Sequence, residues 1–212
     1  MIGSEMNETD FQVIKEDGME RFTFRPVDFE LDLELLYEWM HERHIAPFWK
    51  LNLPMGEFKE WLHNSIAAEH KEVYMGTFNG TPVCYLIAYS IKEDPIKDYY
   101  EYQQGDLGMH LLVGPRRFLN KEDGLSIIRS MIIFLFHRYG AKRIIGEPDI
   151  RNRIVIPILK ELGGQVLGQI DLPNKKAMLI VGERQSVESR LKEKNIHVEI
   201  MNSVTNTRNK IL

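Results

Sequence analysis

Apolar residues recur along this chain at two spacings, and the switches between them mark out its elements. Phe22-Thr23-Phe24 alternates as a strand and stops at Pro26 and Asp28. Leu31, Leu33, Leu35, Leu36, Trp39 and Met40 then follow a helical spacing. A loop containing Ala46-Pro47-Phe48-Trp49 interrupts it, and Phe58, Trp61, Leu62 and Ile66 predict a second helix over 56–69. Two β-rich runs, 72–78 and 81–91, flank Asn79-Gly80 and predict a hairpin. From Leu107 to Val113 the chain is almost continuously apolar, as a strand covered on both faces requires, and Gly114-Pro115 ends it. Leu125, Ile128, Ile132, Leu135 and Phe136 continue at helical spacing through Tyr139, and a further apolar strand, 142–146, stops at Glu147-Pro148-Asp149. These two strands and the helix between them read as one crossover unit with parallel, adjacent strands. Ile154, Ile158, Leu159 and Leu162 predict a short helix ended by Gly163-Gly164, with Pro157 forcing a late start or a kink. Segments 165–170 and 176–181 close the pattern as an antiparallel pair.

Polar sequence bounds the pattern at both ends. Residues 1–20 read as a polar leader, 21–182 as one domain and 183–212 as a charged and polar extension. With 43% hydrophobic residues in a chain of 212, a substantial core and one domain rather than two are expected. A net charge of −4, with no long basic run, argues against nucleic acid as a partner. No window is apolar for long enough to span a membrane, and none reads as an export signal. The single cysteine, Cys84, lies in an apolar run, so the expectation is a buried inert thiol in a reducing cytoplasm. The histidines form no compact ligand motif, and no Gly-x-Ser-x-Gly elbow occurs, so neither a metal centre nor a serine hydrolase is expected.

The candidate chemistry gathers at the crossover. Asp106 and His110 bracket the 107–109 run with the same side-chain parity, which puts both on one face of their strand. Glu147 follows the neighbouring strand, where a carboxylate orients an imidazole and raises its basicity. A histidine in an apolar strand is also the ordinary form of a satisfied core residue, and Glu147 that of a solvated strand end. Asp149 and Asn152 fit equally well as caps of the next helix. His44 and Trp49 offer a basic substrate a polar end and an aromatic face, or else fasten their loop to the core. Residues 92–104, with their tyrosine cluster, read as a surface loop or a substrate lid. Asn120 caps the following helix, with Glu122 and Asp123 in its first turn. Those acids complement the helix dipole but oppose an incoming phosphate, which the helix N–H groups and Arg116, Arg117 and Lys121 favour.

Taken in order, Asp106-x-Gly108-x-His110, Gly114-Pro115, Glu147-Pro148-Asp149-x-Arg151-Asn152 and Leu172-Pro173-x-Lys175-x-Ala177 resemble one branch of the GNAT superfamily of acyl-CoA-dependent N-acyltransferases. That branch acylates the lysine or hydroxylysine side chain in hydroxamate siderophore assembly. His44-Ile45-Ala46-Pro47-Phe48-Trp49-Lys50-Leu51 extends the similarity over residues 22–181. The resemblance implies an α/β GNAT-like fold, a central mixed β-sheet with flanking helices whose central parallel strands splay to admit the acyl-CoA. It implies His110 as the base, with Glu147 and Asp106 as its acids. Leu111, Leu112 and Val113 would run beside the thioester, one of their backbone N–H groups polarising its carbonyl. Lys121, Glu122, Gly124, Leu125 and Ser126, with Asn152, would hold the rest of the coenzyme, and His44, Trp49 and Asp149 the acceptor. The implied cosubstrate is acetyl-CoA or another acyl-CoA, and the acceptor a small amine or hydroxylamine such as lysine or N6-hydroxylysine. One departure stands out: the family's phosphate loop usually carries two or three glycines, and here 120–124 retains only Gly124. A GNAT enzyme of other amine specificity and a catalytically inactive acyl-CoA-binding module are the alternatives.

Overall fold

A computed structural model describes residues 9–203 apart from Asp17. Strands β1 (Thr9–Lys15) and β2 (Gly18–Pro26) form a hairpin, followed by helix α1 (Phe29–His41), the single turn α2 (Ala46–Trp49) and α3 (Met55–Ala67). The expected Asn79-Gly80 hairpin joins β3 (Lys71–Phe78) to β4 (Thr81–Ser90), and short 3-10 turns lead on to β5 (Asp106–Val113). Helix α4 (Lys121–Tyr139) then crosses to β6 (Arg143–Gly146). The chain continues through α5 (Val155–Glu161), a hairpin of β7 (Gln165–Leu172) and β8 (Lys175–Glu183), α6 (Arg184–Glu193) and β9 (His197–Ser203). These strands make one mixed sheet in the order β7-β8-β6-β5-β4-β3-β2-β1-β9.

Local chemistry accounts for the helix bounds. Asp28 begins α1 by accepting the Leu31 N–H at 2.9 Å, and Asn120 begins α4 by accepting those of Glu122 and Asp123. Gly140 ends α4 in the left-handed region, at φ 64°. Pro157 falls in the first turn of α5, where its missing N–H leaves no bond unmade, so the helix starts late rather than kinking. The sheet is packed on both faces. Ile127, Met131, Phe134 and Leu135 of α4 cover one, together with Ile158 and Leu159 of α5. Leu36 and Met40 of α1 and Phe58 and Leu62 of α3 cover the other. Cys84 is buried, and burial pushes its thiol pKa up, which keeps it unreactive.

Two segments that the hydrophobic pattern sets outside the domain contribute strands to it. β1, from the leader, pairs with β2 and also with β9, from the extension. Phe11 and Val13 alternate inward and are fully buried, Phe11 stacking on Phe22 and Phe24. Two inward residues in a polar strand are too few to register as periodicity. Residues 1–8 and 204–212, which complete the leader and the extension, lie outside the described residues.

The crossover is the parallel unit the sequence predicts. β5 pairs with β6 only at Asp106–Arg143, Leu107–Ile144 and Gly108–Ile145, whereas β5 stays paired to β4 as far as Val113. Beyond Gly108 the two parallel strands diverge and leave a fork. Asp106 fastens the closed end of the fork. Its carboxylate accepts from Arg143 Nε at 2.8 Å and Nη2 at 2.6 Å, from Tyr100 Oη at 2.8 Å and from the Gln103 N–H at 2.9 Å. Removing one partner of such a buried pair strands the other charge. Asp106→Ala is therefore expected to cost about 3–5 kcal/mol in a urea titration while the turnover of the folded protein stays near wild type.

A candidate active site in the strand fork

Gly108 explains how the site is assembled. It stands opposite Tyr89 of β4, and a Cβ at Gly108 would lie 2.2 Å from the Tyr89 ring. Glycine thus lets that ring lie flat across β5, where it stacks on His110 at a centroid distance of 4.9 Å and an interplanar angle of 16°. The Tyr89 hydroxyl donates to Glu147 Oε2 at 3.1 Å. Burial, and then the Glu147 carboxylate, hold the phenol pKa well above its ordinary value, so it remains a donor.

Glu147 is the hub. His110 Nδ1 lies 3.2 Å from its Oε1, and Lys175 Nζ donates to the same oxygen at 3.4 Å. The Glu147 side chain is 5% exposed and that of His110 is 40% exposed, so the imidazole reaches solvent while its acidic partner does not. A carboxylate next to Nδ1 favours the imidazole tautomer with its proton on Nδ1 and a lone pair on Nε2. Trp49 meets His110 edge-on at 6.4 Å.

His110, Glu147, Lys175 and Trp49 line a cavity of about 360 Å³ in the fork, together with Trp61, Leu111, Gly146 and Pro148. Leu111 lines the cavity and also packs against the core beneath α4, whereas Leu112 and Val113 are buried in opposite clusters and outside the lining. Asp149 and Asn152 also line it, and both are engaged. Arg151 donates to Asp149 at 2.9 and 2.7 Å, which lowers the carboxyl pKa, and Asn152 Oδ1 accepts the Val155 N–H at 3.0 Å.

Other sequence-predicted residues lie elsewhere. Asp106 shares a face with His110 but sits at the closed end of the fork, outside the cavity lining. His44 is also outside the lining. Its Nε2 is 2.9 Å from the Gly114 carbonyl oxygen, so it fastens the α1–α2 connection to the end of β5. Ser126 faces inward, donating to Glu20 Oε1 at 2.9 Å and accepting from Arg129 at 3.0 Å. Leu125 packs against the core. At the start of α4, Lys121 and Glu122 are exposed and Gly124 is buried, while the Asn120 side chain already accepts two first-turn N–H groups, at 3.0 and 2.9 Å. Tyr89, Lys175, Trp61 and Lys71 are among the lining or hub residues to which sequence reasoning assigned no role in the site. Only Lys175 had a signal, its place in the Leu172-Pro173-x-Lys175 motif.

Among the described residues no three His, Cys, Asp or Glu side chains converge as metal ligands, and no helix is long and apolar enough to cross a membrane. An acyl-CoA fits the fork on two counts: the edge of β5 that faces β6 is unpaired past Gly108, and Leu111 and Trp49 supply apolar walls. At the start of α4 its phosphates would compete with the Asn120 side chain for N–H groups.

Residues 28–172 match the family described as Acetyltransferase (GNAT) domain. Among curated proteins, an N-hydroxyputrescine acetyltransferase of Acinetobacter baumannii is 30% identical, over 74% of this chain and 76% of its own. A lysine N-acyltransferase of Mycobacterium tuberculosis is 27% identical, over 70% of this chain and 71% of its own. The structure of an uncharacterized protein from Bacillus halodurans superposes with a TM-score of 0.80 at 32% identity, covering 87% of this chain and 95% of the other. An aminoglycoside acetyltransferase in complex with coenzyme A superposes at 0.69 with 25% identity, covering 79% and 98%.

Proposed function

Because the chain belongs to the GNAT acetyltransferase family, we propose that it transfers an acyl group from acyl-CoA to the side-chain nitrogen of a small amine or hydroxylamine, as in hydroxamate siderophore assembly. The observation that carries this reading is the His110–Glu147 pair, buried at the acid and open at the imidazole, in the mouth of the fork. The acceptor nitrogen attacks the thioester carbon, its C–S bond breaks, and the thiolate leaves as coenzyme A. His110 Nε2 takes the proton that the nitrogen loses, directly or through a water, and Glu147 stabilises the imidazolium. An unpaired N–H on the β5 edge between Leu111 and Val113 faces the carbonyl oxygen, where a fixed dipole lowers the barrier. Trp49 closes the acceptor side with an aromatic wall. No covalent enzyme intermediate is required.

Thiol release from acetyl-CoA, measured against lysine, N6-hydroxylysine, putrescine, N-hydroxyputrescine and an aminoglycoside, tests this reading. Turnover with a side-chain amine or hydroxylamine and little with the aminoglycoside is expected. Turnover with the aminoglycoside alone would move the enzyme to another amine specificity.

The inactive-module reading draws on one observation, the Asn120 cap that occupies the phosphate-binding N–H groups. The cap is an exchangeable partner: phosphate replaces it at a cost of about 1 kcal/mol. Asn120→Ala should therefore tighten acetyl-CoA binding about fivefold by calorimetry, matching the loss of about 1 kcal/mol from the stability of the free protein. Unchanged affinity would place the phosphates away from this helix.

A further inference from the structure

The charged residues that line the cavity are paired, with one exception. Glu147 has His110 and Lys175, and Asp149 has Arg151. Lys71, which lines the same cavity as Trp61 and Ile87, has no carboxylate within ion-pair distance among the described residues. Its ammonium donates only to the neutral Ser65 hydroxyl, at 3.2 Å. Lys71 lies across from Tyr89, two residues offset from the Val73–Ile87 level at which His110 stands, and on the same sheet face. Two strand spacings and two residues of rise separate the Cα atoms of Lys71 and His110 by about 12 Å. Side chains on one sheet face stand roughly perpendicular to it, so the tips are separated by about the same distance as the Cα atoms. Lysine spans about 7 Å from its side-chain nitrogen to its carboxyl carbon, and a hydrogen bond of about 3 Å at each end brings the total to about 13 Å.

From this we infer that Lys71 binds the carboxylate of the acceptor, so that the site selects an amino acid with a side-chain amine or hydroxylamine over the corresponding diamine. The inference rests on the acyl-transfer reading above and goes beyond it, because curated relatives of this chain include both an acyltransferase named for lysine and one named for a hydroxylated diamine. An unpaired ammonium in a half-buried cavity is destabilised by desolvation, which also lowers the Lys71 pKa. A ligand carboxylate relieves that penalty and gains a charge-assisted hydrogen bond. A diamine would instead set a second ammonium against it.

The test compares L-lysine with cadaverine, which is lysine without its carboxylate, and repeats the comparison with their N-hydroxylated forms. In the CoA-loaded wild-type protein, calorimetry should show lysine binding at least tenfold more tightly than cadaverine, and kcat/KM should favour lysine by a similar factor through KM. In Lys71→Met both preferences should collapse toward unity, and Lys71→Arg should restore most of them. A thermal melt checks that each variant is folded. Equal binding of lysine and cadaverine by the wild type, or a preference that survives in Lys71→Met, would overturn the inference whether or not turnover is seen. Preferential lysine binding without turnover of any acceptor would overturn the catalytic reading and leave the carboxylate site standing.

Discussion

His110→Ala is expected to lower kcat about a hundredfold or more, the usual contribution of a positioned general base. The imidazole touches three groups whose roles separate in such an experiment: Glu147 at 3.2 Å, the Tyr89 ring beneath it and the edge of Trp49. Deleting it leaves the cleft and the β5 backbone in place, so the KM for acyl-CoA should change little while the chemical step slows. The limb of the pH–rate profile that a base imposes should disappear as well. Glu147→Gln offers a second view, because an amide at Nδ1 no longer stabilises the imidazolium, and a loss of smaller size is expected. Full activity in His110→Ala, with the same pH profile, would reduce His110 to a wall of the cavity.

Gly108→Ala should damage both stability and turnover through one methyl group. A Cβ there would lie 2.2 Å from Cζ of a tyrosine that is itself 4% exposed, on a backbone held between β4 and β6. The ring must leave, and with it go the stacking on His110 and the hydrogen bond to Glu147. Overpacking of this kind, with the loss of a bond to a buried carboxylate, costs about 3 kcal/mol. In a chain of this size that lowers the melting temperature by about 6–12 °C. kcat should fall tenfold or more, since His110 loses the surface that orients it. Removing the ring as well, in Gly108→Ala/Tyr89→Ala, should cost clearly less stability than the sum of the two single changes. Strict additivity would mean that the two residues do not share the space.

The crossover at the centre of this protein is legible in its sequence because strong local signals bound it. A two-face apolar run, Gly114-Pro115 and helical periodicity from Leu125 through Tyr139 dictate strand, helix and parallel strand, and α4 begins and ends where its Asn120 and Gly140 caps stand. His110 and Glu147 were visible there as well, since a polar residue in a buried strand and an acid at a strand end depart from the pattern around them. Parity, however, sets only the face of a strand and not the level along it. Asp106 and His110 share a face, yet four residues of rise place them about 13 Å apart, and Asp106 answers to Arg143 at one end of the fork while His110 answers to Glu147 at the other. The residues that complete the site come from other strands of the sheet: Tyr89 under the imidazole, Lys175 on Glu147 and Lys71 in the cavity lining. The pairing of β1 with β9 is of the same kind. Local periodicity determines which elements form and which face each one buries, whereas the register between distant segments is settled only when the sheet packs, and that register decides which polar side chains meet.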